Sequence, residues 1–399
     1  MDIVNRFINY CKIDTQSDEE SITSPSTKKQ FDLANLLVKE LKELGIKDVT
    51  LTPECYVYAS LDGLKDKDPI GLIAHMDTAP DFIGGNFEPR IIHSYDGKDI
   101  KLNDTEILSP ITFPSLKRSI GHNLVVTDGN HLLGGDDKAG IAIIMDLLEY
   151  YVTHPEVKHS PIKVCFTPDE EVGRGPEHFD TKKMGAKFAY TLDGGAYEYY
   201  SYENFNAYSL KIHIEGVSIH PGSAKGIMVN SILLASEFID SLPKDLVPSK
   251  TEKYEGFNHV VGISGDNAFT DVHYIIRNHD NQKALDQINE FYRIAQHMQE
   301  KYPTAKIIVE HKLSYRNMRD YFDTDMSAIN KIIAAYKKVG ITPIAEPIRG
   351  GTDGATITYM GLPCPNIGTG DYNCHGKYEY VDTYEMKKMV EVVKALLED

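Results

Sequence analysis

An α/β fold interrupted by a smaller α+β domain is what this sequence predicts, and three observations carry that expectation. The chain has 399 residues, more than one hydrophobic core usually organises, so two domains are expected. Apolar strand-like runs at 69–74, 162–166 and 188–192 alternate with helical stretches, the pattern of a sheet covered on both faces. The alternation breaks near residue 200, gives way to paired strand-like runs with two helices, and resumes near residue 314. The expected division is therefore 1–205 and 314–399 for the two parts of the α/β domain, with 206–313 as the insertion.

The elements follow in order. Ile3, Val4, Phe7, Ile8 and Cys11 have helical spacing, and Leu33, Leu36, Leu37, Leu41 and Leu44 form a second apolar stripe that Gly45 can end. Strand-like runs at 48–52 and 56–61 precede the more apolar run at 69–74, which delivers His75-Met76-Asp77-Thr78. Asp96-Gly97 and Asp128-Gly129 sit between strand-like flanks and predict two hairpins. Gly134-Gly135-Asp136-Asp137-Lys138-Ala139-Gly140 opens a helix over 141–152 that is apolar on nearly every face, hence buried. The run at 162–166 ends in Pro168-Asp169-Glu170-Glu171, and the run at 188–192 ends in Asp193-Gly194-Gly195. In the insertion, strands are expected at 208–215, 259–264, 268–277 and 305–311, with helices at 230–242 and 282–302. A helix at 325–339, an apolar strand at 363–367 and a helix at 385–397 close the chain.

Composition limits the partners. The net charge is −17, from 42 basic and 59 acidic residues, and no Lys/Arg block stands out. Nucleic acid and anionic membrane both need a basic footprint, so neither is expected as a partner. Cys11, Cys55, Cys165, Cys364 and Cys374 are odd in number and scattered, which reads as free thiols in a reducing compartment. The N-terminus lacks the basic and apolar regions of a signal peptide, and no run approaches membrane-spanning length. A cytoplasmic location is expected; the oligomeric state, a homodimer included, stays open.

Acids and histidines gather at the predicted strand ends, where α/β sheets place their chemistry. His75 and Asp77, two apart, share one face of an extended segment. Asp136 stands at a helix start, Glu171 and Asp193 follow strands, and His375 lies in Asn373-Cys374-His375-Gly376-Lys377. Imidazole with carboxylate is the donor set of zinc or a similar divalent ion. Three carboxylates, two divalent ions and one hydroxide sum to zero charge, which a half-buried site tolerates. Two adjacent glutamates at a strand end can divide labour, one ligating metal while the other acts as a base. Each piece also has a plainer reading: a structural His–Asp pair, a helix cap at Asp136, a turn at Asp193, a surface histidine at 375.

The stretches GLIAHMDT, LLGGDDKAGIA, FTPDEEVG, TLDGG, SIHPGSAKGIMVN, PIRGGTDGA and NCHGK occur in this order between about residues 70 and 382. Together they resemble the co-catalytic dizinc peptidase family that includes carboxypeptidase G and aminoacylase, and within it the tripeptide aminopeptidases. The resemblance implies a dizinc exopeptidase catalytic domain with an inserted α+β lid domain. It implies His75 and Asp193 on one zinc, Glu171 and His375 on the other, and Asp136 bridging them, with a cis Asp136–Asp137 peptide. Asp77 would orient His75, and Glu170 would activate the metal-bridging water. Cobalt or manganese could replace zinc. In the insertion His220 resembles the family's lid histidine that stabilises the oxyanion, and Arg277 the arginine that takes the substrate's terminal carboxylate. Asn230 is a candidate for the same pocket. Their plainer readings are a turn histidine, a surface ion pair and a helix cap. Gly350-Gly351-Thr352-Asp353 could offer N–H groups to substrate or be a tight loop. Ile143 and Cys374 depart from the family pattern, and Cys374 reads as a small apolar filler.

The function implied is removal of the N-terminal residue from tripeptides, with short peptides as substrates. The alternatives are a related dizinc dipeptidase or N-acyl amino acid deacylase and, from another class, an inactive metal-bound peptide-binding protein.

Overall fold

The computed structural model describes residues 1–398, so Asp399, the last residue of the expected closing segment, lies outside the described residues. The chain divides into two compact units: Met1–Tyr202, Asp320–Glu346 and Thr352–Asp399 form the first, Glu203–Arg319 and Pro347–Gly351 the second. The short return of Pro347–Gly351 to the second unit was not anticipated from the sequence.

The first unit is built on an eight-stranded sheet in the order Asp48–Leu51, Val57–Leu61, Ile162–Thr167, Ile70–His75, Phe188–Leu192, Asn366–Ile367, Tyr199–Ser201, Ile344–Ala345. Its centre is parallel: Ile70–His75 pairs in register with Ile162–Thr167 on one side and Phe188–Leu192 on the other, and Phe188–Leu192 pairs with Asn366–Ile367. These strands are buried on both faces, as their unbroken apolar runs require. Each fully buried Ile, Val or Phe contributes about 1.5–3 kcal/mol of hydrophobic stabilisation. The helix Gly135–Thr153 packs against the sheet, and Ile3–Cys11 and Thr383–Leu397 pack on that helix, which explains why it is apolar all round. Gly140 allows the close approach: a Cβ there would lie 2.1 Å from the Leu192 carbonyl oxygen.

Both expected hairpins are corrected. Arg90–Ile92 pairs with Leu124–Val126, which pairs in turn with Tyr380–Asp382, so Leu124–Val126 has no free edge for residues 131–133. Asp128 instead makes a local turn, its Oδ1 accepting the N–H groups of Asn130 and His131. Near Asp96-Gly97 the backbone of Tyr95 is taken by Gly121 and His122, and the real hairpin pairs Ile100–Lys101 with Ile107–Leu108. The turn dipeptides were read correctly as turns, but long-range partners took the strands.

The second unit is a four-stranded antiparallel sheet in the order Phe257–Gly265, Phe269–Asn278, Asn206–Glu215, Lys306–Tyr315. Ser231–Ser241 and Asn281–Lys301 cover one face. Ile212, Ile214 and Ile276 from the strands meet Phe238 and Phe291 from the helices in a single core. Among the described residues no helix is long and apolar enough to cross a membrane.

Candidate metal centre at the ends of the parallel strands

Three neighbouring parallel strands end together and deliver His75, then Pro168 to Glu171, then Asp193. His75 is buried, and its Nδ1 lies 3.0 Å from the carbonyl oxygen of Asp77 and 3.4 Å from the Asp77 carboxylate. A carbonyl only accepts, so Nδ1 carries the proton and Nε2 faces the cluster. There it stands 2.8 Å from Asp136 Oδ1 and 3.8 Å from Asp193 Oδ1. On the far side of Asp136, His375 Nε2 lies 3.6 Å from Oδ2 and 3.0 Å from Glu171 Oε2. Asp136 thus turns one oxygen to each imidazole. The run Asp193, His75, Asp136, His375, Glu171 is continuous, and the expected ligands are brought together. The Asp136–Asp137 peptide is cis.

Asp136 does not cap its helix, since Gly134 occupies that position. His375 sits at φ 64°, a left-handed conformation that non-glycine residues adopt reluctantly and that clusters at functional sites. Asp169, just before the glutamate pair, is at φ 56° and is held by the N–H and hydroxyl of Ser26 and the amide of Gln30.

The electrostatics fit a cation-binding cluster. Burial raises Glu171 to about 7 and Asp193 to about 8, with the charge of Asp136 adding to both. His375 is raised to about 11 by hydrogen bonds with Asp136 and Glu171. Burial opposes protonation of His75, yet hydrogen bonds to Asp136 and Asp77 raise it well above its usual value. Burial works against ionised Asp136, but His375 and His75 hold it below the usual carboxylate range. Raised acids beside raised imidazoles mark a cluster whose charge a bound cation would neutralise. Glu171 Oε1 is buried without a hydrogen-bond partner, a lone pair that a metal would satisfy. Ligand atoms of His75, Asp136 and Glu171 lie within 4.8 Å of one another, as do those of His75, Asp137 and Asp193.

The two glutamates differ. Glu171 pairs with His375, whereas among the described residues the Glu170 carboxylate has no hydrogen-bond or ion-pair partner. Burial, then the charges of Asp193 and Asp353, raise Glu170 well above the ordinary carboxylate range. Asp77, fully buried, accepts the backbone N–H of Glu170 at 3.0 Å and of Glu171 at 3.2 Å. It therefore ties the histidine strand to the glutamate strand as well as facing His75.

Several acids escaped the sequence reading. Asp137 accepts the N–H groups of His75 and Gly140. Asp353 accepts the Thr167 hydroxyl at 2.9 Å, while Thr352 Oγ1 lies 3.4 Å and Asn366 Nδ2 3.3 Å from Asp193 Oδ2. Asp137 and Asp353 lay inside stretches already named but were given no role of their own there; Asn366 carried no signal. Cys374 is not merely an apolar filler, for its thiol donates to Asp371 Oδ2 at 2.9 Å.

In the second unit, His220 precedes the short turn Pro221–Ser223, and its Nδ1 accepts the Gly222 N–H at 3.1 Å. That assigns the proton to Nε2 and makes it a donor. Arg277 Nη1 donates to the carbonyls of Ile276 (3.0 Å) and Tyr208 (3.4 Å), and the guanidinium lies 5.3 Å from the Tyr315 ring centre. No carboxylate among the described residues pairs with Arg277, so the surface ion pair is not formed. Asn230 caps the helix Ser231–Ser241, its Oδ1 accepting from Ile232 and Leu233 at 2.9 and 3.3 Å.

A mixed α/β sheet with imidazoles and carboxylates converging at its strand ends defines a metal-dependent hydrolase. In fold the chain is similar to a tripeptidase from Staphylococcus aureus, with a TM-score of 0.78 at 18% identity, covering 99% of this chain and 97% of that one. It is similar also to a dinuclear metal-binding peptidase of Bacillus subtilis, with a TM-score of 0.65 at 13% identity over 99% and 96% of the two chains. In sequence it is 49% identical to peptidase T of Clostridium perfringens over 390 residues, 97% of this chain and 96% of that protein. Residues 124–399 match peptidase family M20/M25/M40, and the chain belongs to that family.

Proposed function

We infer that this chain is a metallo-exopeptidase that removes the N-terminal residue from tripeptides. The observation that carries the reading is the division between adjacent glutamates: Glu171 is engaged by His375, and Glu170 stands beside the cluster unengaged. A protein that only bound peptide would have no use for that second carboxylate. Likeness to peptidase T over nearly the whole chain supports tripeptides as substrates.

His75 and Asp193 are assigned to one metal ion, Glu171 and His375 to the other, and Asp136 to both. When bound, such a pair polarises the scissile carbonyl and acidifies water. Glu170 takes the proton of the attacking water and delivers it to the leaving amine. Asp77 holds the Nδ1 proton of His75, keeping Nε2 directed at the centre. His220, a donor through Nε2, is assigned the developing oxyanion. Arg277 is assigned the far carboxylate of the peptide, assisted by the Asn230 amide nitrogen, which its capping role leaves over. In the domain terms expected from the sequence, the first unit is the catalytic domain and the second the lid. Nitrogen and oxygen donors without thiolate suit zinc, with cobalt or manganese as substitutes. Five unpaired cysteines support a cytoplasmic location.

The test is turnover by chelator-stripped protein with divalent metal added back, read by product mass. Release of the first residue from a tripeptide is expected; cleavage of dipeptides or acylated amino acids instead would move the assignment to a related hydrolase. Glu170→Ala should lose turnover by about 10²–10⁴-fold or more while both ions stay bound, and an active variant would overturn the assigned base. Arg277→Ala should raise KM for tripeptides and blunt length preference; an unchanged KM removes it from the substrate site.

A further inference from the structure

The loop that brings His375 carries a carboxylate at each end, and neither was assigned a ligand role. Glu379 is fully buried. Its Oε2 accepts the N–H of Gly134 at 2.8 Å, and its Oε1 accepts the N–H of Asp136 at 3.0 Å. Asp371, 1% exposed, accepts the N–H of Gly195 at 2.9 Å and the Thr369 hydroxyl at 2.5 Å through Oδ1, and the Cys374 thiol through Oδ2. The two ends of the loop are closed on each other by the antiparallel pair Asp371–Tyr372 and Tyr380–Asp382. One closed loop therefore presents His375 and grips the backbone beside two other ligands, Asp136 directly and Asp193 through Gly195.

We propose that Glu379 and Asp371 are positioning residues of the dinuclear centre, holding the Asp136 and Asp193 loops in register with His375. The proposal rests on the dinuclear reading given above. Its physical basis is the strength of charge-assisted hydrogen bonds to a buried carboxylate. Each oxygen of Glu379 is spent on a backbone donor, one two residues before the bridging ligand and one belonging to it. The Asp136 carboxylate can then face both imidazoles only while its own N–H stays where Glu379 holds it. A carboxylate of purely architectural use would support the fold but leave the coordination of bound ions unchanged. Partners that orient ligands typically change metal affinity by about 10–100-fold when removed.

Glu379→Gln is the direct test, because the amide keeps the shape but turns an NH2 toward one of the two N–H donors. Metal affinity is read by chelator competition, the coordination geometry by the visible spectrum of the cobalt-loaded protein, and the fold by circular dichroism of the metal-free form. The expected result is intact secondary structure, at least one ion bound about 10–100-fold more weakly, and an altered cobalt spectrum. Two ions held with wild-type affinity and an unchanged cobalt spectrum would overturn the proposal. Should that variant not fold, Asp371→Asn carries the same test with the same two outcomes. Failure of both to fold would assign the carboxylates to architecture and overturn it as well. Wild-type protein that takes up fewer than two ions would instead sink the dinuclear reading itself, which separates the two failures.

Discussion

His279 shows how one side chain can set the pH response of its unit. It is 9% exposed, and its Nε2 faces the Ile348 carbonyl at 3.1 Å. Burial lowers its pKa from the usual 6.5, so the folded protein holds it neutral more firmly than the unfolded chain does. A group of this kind stabilises fully above its unfolded pKa, and that stability is lost as pH falls toward and through the folded value. The second unit should therefore melt at a lower temperature at pH 5 than at pH 7, and His279→Gln should shrink the difference. A variant with an unchanged pH dependence would show that other groups govern it. At the same scale the different surroundings of Glu170 and Glu171 were legible, because neighbouring residues at a strand end cannot point the same way. Asp371 and Glu379 were not legible: their meaning lies in which distant backbone N–H groups they accept, and no local pattern encodes that.

At the scale of elements, long periodic segments were read closely. The helices Ile3–Cys11, Ser231–Ser241 and Asn281–Lys301 and the strands Ile162–Thr167 and Phe188–Leu192 lie where their spacing placed them. Short strands such as Tyr199–Ser201 and Ile344–Ala345 were missed, since two or three residues cannot display a period. The hairpins failed for a related reason: Asp-Gly fixes a turn but cannot choose between a neighbouring partner and a distant one. Asn230 tests an element boundary. Its cap on Ser231–Ser241 predicts that Asn230→Ala costs about 1 kcal/mol of stability in denaturant unfolding. A variant of normal stability would contradict the cap; raised tripeptide KM in addition would place the amide at the substrate.

For the molecule as a whole, the crowd of buried acids makes metal content and stability inseparable. Besides Glu171 and Asp193, burial raises Asp353 to about 7 and Glu379 to about 8. For acids with raised folded pKa values the folded state binds more protons, so stability falls as pH rises from the ordinary carboxylate range toward 8. The first unit of chelator-stripped protein should therefore melt at progressively lower temperature from pH 5 to pH 8, and metal should restore most of the loss at pH 8 by binding the folded state alone. Metal-free protein as stable at pH 8 as at pH 5 would refute this. The residues proposed as ligands, His75, Asp136, Glu171, Asp193 and His375, are scattered over 301 positions of the chain, and His375 is the last to be made. During synthesis on the ribosome no nascent segment that stops short of residue 375 holds the complete proposed set, so a chain cut off there is expected to lack a working centre. An enzyme that cuts peptides thus comes into being only after its own residue 375 has been translated.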